Sequence, residues 1–229
     1  MQRRLLLRAA AVVAGFITGC SAPPSSEERL SESIVLTKLA PNASFGSYRT
    51  FFIRPEIRVL KDGETAEPIT DAYATPLLEE TTQQLVTRGY EQVEVKADAE
   101  LAVELVYVSS VNSAAWCYSW WDSYYWGYPG WGYYPYYGGC SSATWRAGTL
   151  ATMIVDLTPA RNDAGDGGDG APDGEGGAAG AGPGQKLLST IWFSGVYGVE
   201  SGYTASNVER ARLGIDQAFA QSPYLASSP

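Results

Sequence analysis

The side chains able to do chemistry in this 229-residue chain are limited, because it contains no histidine. The absence of imidazole excludes the commonest general base, the Ser-His-Asp and Cys-His arrangements, and imidazole-based metal sites. Catalysis would have to rest on carboxylates, Lys, Tyr or Cys, so we predict no catalytic residue, no metal site and no cofactor. A glycosidase that uses two carboxylates alone is not excluded by this argument.

The most unusual candidate site is the aromatic segment, residues 116–145, which contains Cys117 and Cys140. Four Trp and eight Tyr lie between the two cysteines, interleaved with Gly and Pro. In an oxidising compartment the cysteines would close a loop of about 24 residues, which would stabilise the fold by about 3 kcal/mol. We predict a Cys117–Cys140 disulfide rather than two free thiols.

Three interpretations of the aromatic segment are open. Trp and Tyr rings stack on sugars, peptides and partner side chains, so the segment could be a binding surface. The same residues favour the headgroup level of membranes. The third interpretation is a loop that covers the open sheet face, with rings buried against Tyr107, Met153 and Trp192. If the segment binds a partner, the predicted contact residues are Trp116, Trp120, Trp121, Tyr124, Tyr125, Trp126, Trp131, Tyr133 and Tyr134.

The N-terminus has the pattern of an export signal. Three arginines accompany an apolar run at residues 9–17, which is shorter than the roughly 20 apolar residues needed to span a bilayer. Residues 17–20, Ile-Thr-Gly-Cys, resemble a bacterial lipobox. This resemblance implies cleavage before Cys20 and lipid modification of Cys20 as the new N-terminus. An ordinary signal peptide with an incidental cysteine is the alternative.

Processing would leave residues 20–40 as the lipidated cysteine and a flexible tether, followed by one domain at residues 41–225. Ser21, rather than Asp, after the lipidated cysteine favours the periplasmic face of the outer membrane over the inner membrane. Loss of residues 1–19 would change the formal net charge from −9 to −12. We therefore expect the membrane as a partner through the lipid anchor, and no nucleic-acid partner.

Hydrophobic periodicity predicts both strands and helices in the domain. Helices are expected at residues 70–88, with Gly89 as the C′ residue, and from Ser206, with Pro223 ending the helix. Pro55 is expected to close the second strand. Strands are expected at residues 34–39, 45–55, 92–95, 99–111, 148–159 and 186–199, the last two as an antiparallel pair.

Charged residues in and between these elements are mostly interpreted as solvent-exposed. Residues 161–185 are rich in Gly, Ala and Asp, and they lack apolar residues to offset the cost of ordering, which predicts a disordered insertion at a hairpin tip. Calcium binding there is the less favoured alternative, because the carboxylates do not match an EF-hand. Glu104 is expected near an edge or end of the sheet, Asp156 at a strand end, and Arg54 on the surface or stacked on a ring.

Short motifs in a fixed order carry a resemblance to a known family. They are YRTF at residues 48–51, LVTRGY at 85–90, ADAEL at 97–101, GTL at 148–150, TIWFSG at 190–195 and QSP at 221–223. With the lipobox-like motif, this order resembles the DUF4136 family, bacterial lipoprotein domains of unknown function. The resemblance implies an α+β domain with two helices packed on one face of a largely antiparallel sheet, and it provides no catalytic residue.

The sequence therefore favours a lipid-anchored, non-enzymatic binding module of the cell envelope, whose partner is an envelope protein or a glycan. The aromatic segment, an insertion relative to the family pattern, is the predicted contact surface. One alternative is a carboxylate-only glycan-processing enzyme, which requires two carboxylates about 5–10 Å apart in an open cleft. The other is a purely structural lipoprotein in which the aromatic segment completes the core.

Overall fold

The protein is built on one open β-sheet. The computed structural model describes residues 33–41, 43–62, 64–70, 72–110, 123–126, 132–134, 147–166, 187–199 and 205–227. The strands are β1 (Ile34–Leu39), β2 (Thr50–Lys61), β3 (Glu64–Ile69), β4 (Glu91–Gln92), β5 (Leu101–Val108), β6 (Gly132–Tyr134), β7 (Thr149–Asp156) and β8 (Leu187–Tyr197). They are ordered β1-β8-β7-β5-β2-β3, with β4 beside β2 and β6 beside β8.

Most neighbouring strands are antiparallel, including the predicted β7–β8 pair, whereas β5 and β4 run parallel to β2 and β6 runs parallel to β8. The helices are α1 (Ala74–Thr87), α2 (Ser123–Trp126), α3 (Thr158–Asp166) and α4 (Ala205–Ala220). The long helices α1 and α4 pack against one another on one face of the sheet. The predicted α+β class, with two helices on one face of a largely antiparallel sheet, is confirmed. No helix within the described ranges is long and apolar enough to cross a membrane.

The central strand β5 is buried on both faces, and its side chains alternate between two different environments. Leu101, Val103 and Leu105 belong to the main core beneath α1 and α4. Ala102 and Val106 belong to two smaller apolar clusters, which lie on the opposite face of the sheet. The second face therefore carries a core of its own, and Glu104 is located on that face.

Helix α1 buries Ala74, Leu77, Thr81 and Leu85, the last three of which are spaced by four residues along one side. It begins later than predicted, and Pro76 lies in its first turn. The N–H groups of a first turn have no intrahelical acceptor, so the proline removes no hydrogen bond there. Gly89 has a φ of 92°, which confirms it as the C′ residue.

Helix α4 buries Ala211, Ile215 and Phe219 along the predicted stripe. It approaches β8 closely at Gly214, where an added Cβ would lie 2.4 Å from Val196 Cγ1. Only a residue without a side chain fits at this helix–sheet contact.

The path of β2 differs from the prediction. Pro55 does not close the strand, which continues to Lys61. Ile53 pairs with Val103 and Ile57 with Leu105, so β2 has two extra residues around Pro55, and an irregularity of this kind tolerates the missing N–H. Strand β3 was not predicted, because its sequence ETAEPI has little apolar alternation.

The predictions for acidic residues have mixed outcomes. Asp156 ends β7 as expected, and its carboxylate accepts hydrogen bonds from the N–H and hydroxyl of Thr158 at 2.8 and 2.6 Å. Helix α3 extends to Asp166, so the expected disorder is wrong for residues 161–166, and residues 167–186 lie outside the described part of the chain. The position expected for Glu104 is also wrong, because β5 lies between β7 and β2 and Glu104 is only 1% exposed.

Candidate functional site

The candidate site is a buried group of charged residues on the sheet face opposite α1 and α4. Side chains two or four positions apart on a strand share a face, so β2 presents Arg54 and Arg58 on this face, while Ile53 and Ile57 belong to the main core. The neighbouring strand β5 presents Glu104 to both guanidinium groups. Arg54 and Arg58 are 8% and 5% exposed.

Glu104 is at the centre of the group. Its Oε1 accepts a hydrogen bond from Trp126 Nε1 at 2.7 Å and lies 3.4 Å from Arg54 Nη1, and its Oε2 lies 3.8 Å from Arg58 Nη1. Oε2 has no hydrogen-bond donor within reach among the described residues. Burial raises the pKa of the Glu104 carboxyl, against the opposing effects of the Arg58 charge, the Trp126 hydrogen bond and the Arg54 charge.

Trp126 joins the aromatic segment to this group. Its ring is 2% exposed and meets Phe52 edge-on, with centroids 5.8 Å apart and planes at 90°. It also belongs to the apolar cluster that contains Ala102 and Leu188. A buried indole with its N–H bonded and its ring packed is a point of attachment to the sheet rather than a contact surface for a partner.

Tyr125 adds a second attachment beside Trp126. Arg54 Cζ lies 3.8 Å and Lys96 Nζ lies 4.0 Å from the centroid of the Tyr125 ring, an arrangement in which both cations are attracted to its π-electrons. Lys96 Nζ also donates a hydrogen bond to the Tyr125 carbonyl. The prediction that Arg54 stacks on a ring is therefore confirmed, and its alternative placement on the surface is wrong. Tyr125 and Trp126 together are called the anchor below.

Glu56 completes the polar group from the irregular part of β2. Its Oε1 accepts a hydrogen bond from Arg54 Nε at 2.7 Å and lies 2.6 Å from Arg54 Nη2. Arg54 thus bridges two carboxylates, Glu56 and Glu104, while its plane covers Tyr125. Burying each ion costs roughly several kcal/mol of lost hydration. Every charged group of this network therefore needs an oppositely charged or hydrogen-bonding partner for the fold to be stable.

The structure describes the other predicted site residues only in part. The main chain of Tyr124 is in α2, and Tyr133 and Tyr134 are in β6, which pairs with Leu187–Ser189 of β8. Cys20, Cys117, Cys140, Trp116, Trp120, Trp121 and Trp131 lie outside the described residues, so the lipidation and the disulfide stay predictions. Within the described ranges, no group of three or more His, Cys, Asp or Glu is arranged to hold a metal ion.

The anchor does not lie over the residues that the sequence suggested would be covered by an aromatic loop. Of the three residues expected beneath the aromatic rings, Tyr107 and Trp192 belong to the main core under α1 and α4. Met153 is on the same face as Glu104, with which it is paired across β5 and β7. The signal that could have indicated the real site is Glu104 itself, a carboxylate inside an otherwise apolar strand with two arginines four residues apart on another strand.

An open groove of about 1060 Å³ adjoins the anchor through Phe52. It runs between the irregular part of β2 and helix α1, and its walls include Pro55, Glu79, Glu94 and Arg212. A molecule that contacted the aromatic segment near Trp126 would have this groove beside it.

The family model of DUF4136, a domain of unknown function, matches residues 35–224. The chain belongs to the DUF4136 family. A crystal structure of a DUF4136 family protein from Bacteroides thetaiotaomicron is similar to this chain with a TM-score of 0.58 and 26% sequence identity, covering 85% of this chain and 98% of that one.

A second solved structure, the PelC dodecamer from Paraburkholderia phytofirmans, covers the same shares of the two chains at 10% identity. Its TM-score of 0.33 is too low to extend anything from that protein to this DUF4136 chain. None of the curated proteins compared with the chain matches it.

Proposed function

We propose that this DUF4136 protein is a lipid-anchored, non-enzymatic binding module of the cell envelope that contacts a protein or glycan partner through its aromatic segment. The single observation that supports this most is the anchor. Trp126 and Tyr125 attach the segment to the sheet through Glu104, Arg54 and Lys96.

This attachment matters for binding because it provides a rigid base. Trp120, Trp121 and Trp131 lie within six residues of Trp126 along the chain. Ordering a contact surface costs conformational entropy, and attaching it to a packed sheet before binding reduces that cost. A segment that only filled a gap in the core would not need three Trp and seven Tyr in addition to the two-residue anchor.

The chemistry of the segment indicates the class of partner. Trp and Tyr rings bind the apolar faces of sugars and peptide side chains, and Tyr hydroxyls supply hydrogen bonds. A formal charge of −12 after removal of residues 1–19 opposes binding of anionic polymers. We therefore favour a neutral glycan or a protein surface with exposed cationic or apolar groups.

Cys20 and Ser21 support the proposed location, which is a lipid anchor at the periplasmic face of the outer membrane. Acyl chains contribute roughly 0.8 kcal/mol per buried CH₂, so two or more chains hold a protein stably on a membrane. Metabolic labelling with a clickable fatty acid tests this step: the wild-type chain should be labelled, and Cys20→Ala should not. Equal labelling of both chains would contradict the lipid anchor.

The alternative, a carboxylate-only glycan-processing enzyme, would have to use carboxylates near the anchor, which are Glu56 and Glu104 in the polar group and Glu79, Glu80 and Glu94 in the adjoining groove. Both Glu56 and Glu104 are bound to Arg54, and Glu104 is buried beneath Trp126. A general acid has to reach the substrate oxygen, which Glu104 cannot do in this arrangement. Glu104 is therefore excluded as the general acid, and an enzyme would have to rely on the carboxylates of the groove.

Partner capture in cells tests the proposal. The full chain is crosslinked in the envelope, and the attached proteins and glycans are identified by mass spectrometry. Trp120→Ala/Trp121→Ala/Trp131→Ala should lose a specific partner, and Tyr224→Ala, which removes a ring that is 40% exposed outside the segment, should retain it. An identical set of partners for the wild-type chain and both variants would overturn the proposal.

A further inference from the structure

The side of β2 that faces away from β5 has a gap between two short neighbouring strands. Strand β4 pairs with β2 at Thr50 and Phe51, and β3 pairs with it from Ile57 onward. In the part of the chain that the structure describes, no strand pairs with residues 52–56 on this side. The open groove of about 1060 Å³ lies at this gap, because its lining includes three residues of that segment: Phe52, Ile53 and Pro55.

The backbone of Ile53 faces the gap. On the β4 side of β2, the Phe51 carbonyl accepts a hydrogen bond from the Val93 N–H at 2.9 Å. Alternate residues of a strand direct their backbone groups to the same neighbour, and Ile53 is still in regular register with Val103 of β5. The N–H and C=O of Ile53 therefore also point to the β4 side, where β4 has already ended at Gln92. Open backbone groups at a sheet edge accept an extended segment of another chain.

The lining of the groove is both acidic and apolar. Glu79 of α1 and Glu94, which follows β4, are exposed, and neither forms an ion pair with a described residue. Arg212, also in the lining, is already occupied by Glu80 Oε2 at 2.9 Å and Glu209 Oε2 at 3.0 Å. The two exposed carboxylates therefore keep their charge uncompensated beside an apolar surface. The apolar lining residues are Phe52, Ile53, Pro55, Pro76, Leu78 and Val93.

We propose that this groove binds an extended segment of a partner protein that carries Lys or Arg beside apolar side chains. One residue of the segment pairs with the N–H and C=O of Ile53, and cationic side chains near it reach Glu79 and Glu94. Charge favours a cationic segment over an acidic one, because the formal net charge of the chain is −9 and Arg212 is already paired. The inference goes beyond the proposed function, since none of the described lining residues belongs to the aromatic segment.

Synthetic peptides test the chemistry of the segment. Rhodamine-labelled Lys-Val-Lys-Val-Lys is titrated with the purified protein and followed by fluorescence anisotropy, with Glu-Val-Glu-Val-Glu as the charge-reversed control. The Lys peptide should bind at least about ten-fold more tightly than the Glu peptide. Methylation of every backbone N–H of the Lys peptide keeps its charges but removes the donor to the Ile53 carbonyl, and it should weaken binding about five-fold.

Two matched variants of the chain locate the binding. Glu79→Gln/Glu94→Gln should bind the Lys peptide about ten-fold more weakly than the wild-type chain. Glu67→Gln/Asp98→Asn removes the same charge from exposed positions outside the groove, and its affinity should stay within about two-fold of wild type because of screening. Absence of binding by the Lys peptide, equal affinities for the Lys and Glu peptides, no effect of methylation, or equal losses in the two variants would each overturn the inference.

Discussion

Replacing Trp126 with Phe should lower the free energy of unfolding by about 3 kcal/mol. The substitution keeps an aromatic ring against Phe52 but removes the indole N–H that donates to Glu104 Oε1 at 2.7 Å. A hydrogen bond to a charged group contributes roughly 1.5–3 kcal/mol, and the lost ring volume adds about 1 kcal/mol. Arg54 is 3.4 Å from the same oxygen and cannot replace that bond without moving.

The assay is urea unfolding of the purified protein, followed by circular dichroism in the far ultraviolet so that the loss of an indole does not alter the signal. A destabilisation of about 3 kcal/mol corresponds to a fall of roughly 6–12 °C in Tm for a chain of this size. Val95→Ala is the control, because Val95 is an exposed apolar residue next to Lys96. Its effect should stay within about 0.5 kcal/mol.

The result that would refute the anchor is a Trp126→Phe variant as stable as the Val95→Ala control. It would mean that the bond to Glu104 contributes nothing and that the aromatic segment is not held to the sheet at this point. A large loss for both variants would mean general fragility of this region rather than a specific attachment.

Three further predictions concern the anchor and the helix–sheet contact. Burial raises the pKa of Glu104, so its contribution to stability should be largest below its unfolded pKa of about 4.3 and should be lost as the pH rises through the folded pKa. Urea unfolding from about pH 4.5 to 7.5 should therefore show a loss of stability with rising pH in the wild-type chain that is absent from Glu104→Gln. Equal pH slopes for the two chains would contradict this prediction. Tyr125→Leu should lower the free energy of urea unfolding by about 1 kcal/mol because it removes the ring beneath Arg54, whereas Tyr125→Phe should have little effect; equal losses would show that the ring face is not what matters. Gly214→Ala should lower the Tm, because overpacking against Val196 costs about 1–3 kcal/mol. In the double variant, Val196→Ala should relieve that loss, whereas additive losses would exclude the close contact between α4 and β8.

The parts of the fold that local pattern determines were predictable from the sequence. The alternation in β5, the β7–β8 pair and the four-residue spacing in α1 all depend on neighbours along the chain. Strand β3 and helix α3 lack that signal, because their sequences are polar and rich in Glu, Asp, Gly or Pro. The continuation of β2 through Pro55 depends on an irregularity in its pairing with β5, which local sequence does not report.

The candidate site was predictable only in part. The aromatic segment is conspicuous in the sequence, but the role of Trp126 as an attachment depends on where Glu104 lies. Arg54 and Glu104 are fifty residues apart, and only the parallel register of β2 and β5 brings them within 3.4 Å. The expectation that Glu104 lies at an edge failed because burial of a carboxylate is costly unless partners are supplied from elsewhere in the fold.

Iodide quenching of tryptophan fluorescence tests most directly whether the aromatic segment presents accessible rings from a buried anchor. Trp126 and Trp192 are buried and should be protected in the wild-type chain. We expect a quenchable fraction that falls when Trp120, Trp121 and Trp131 are replaced together by Phe and that persists in Trp126→Phe. Weak quenching of the wild-type chain, unchanged by the triple substitution, would contradict the binding surface and place those rings in the core.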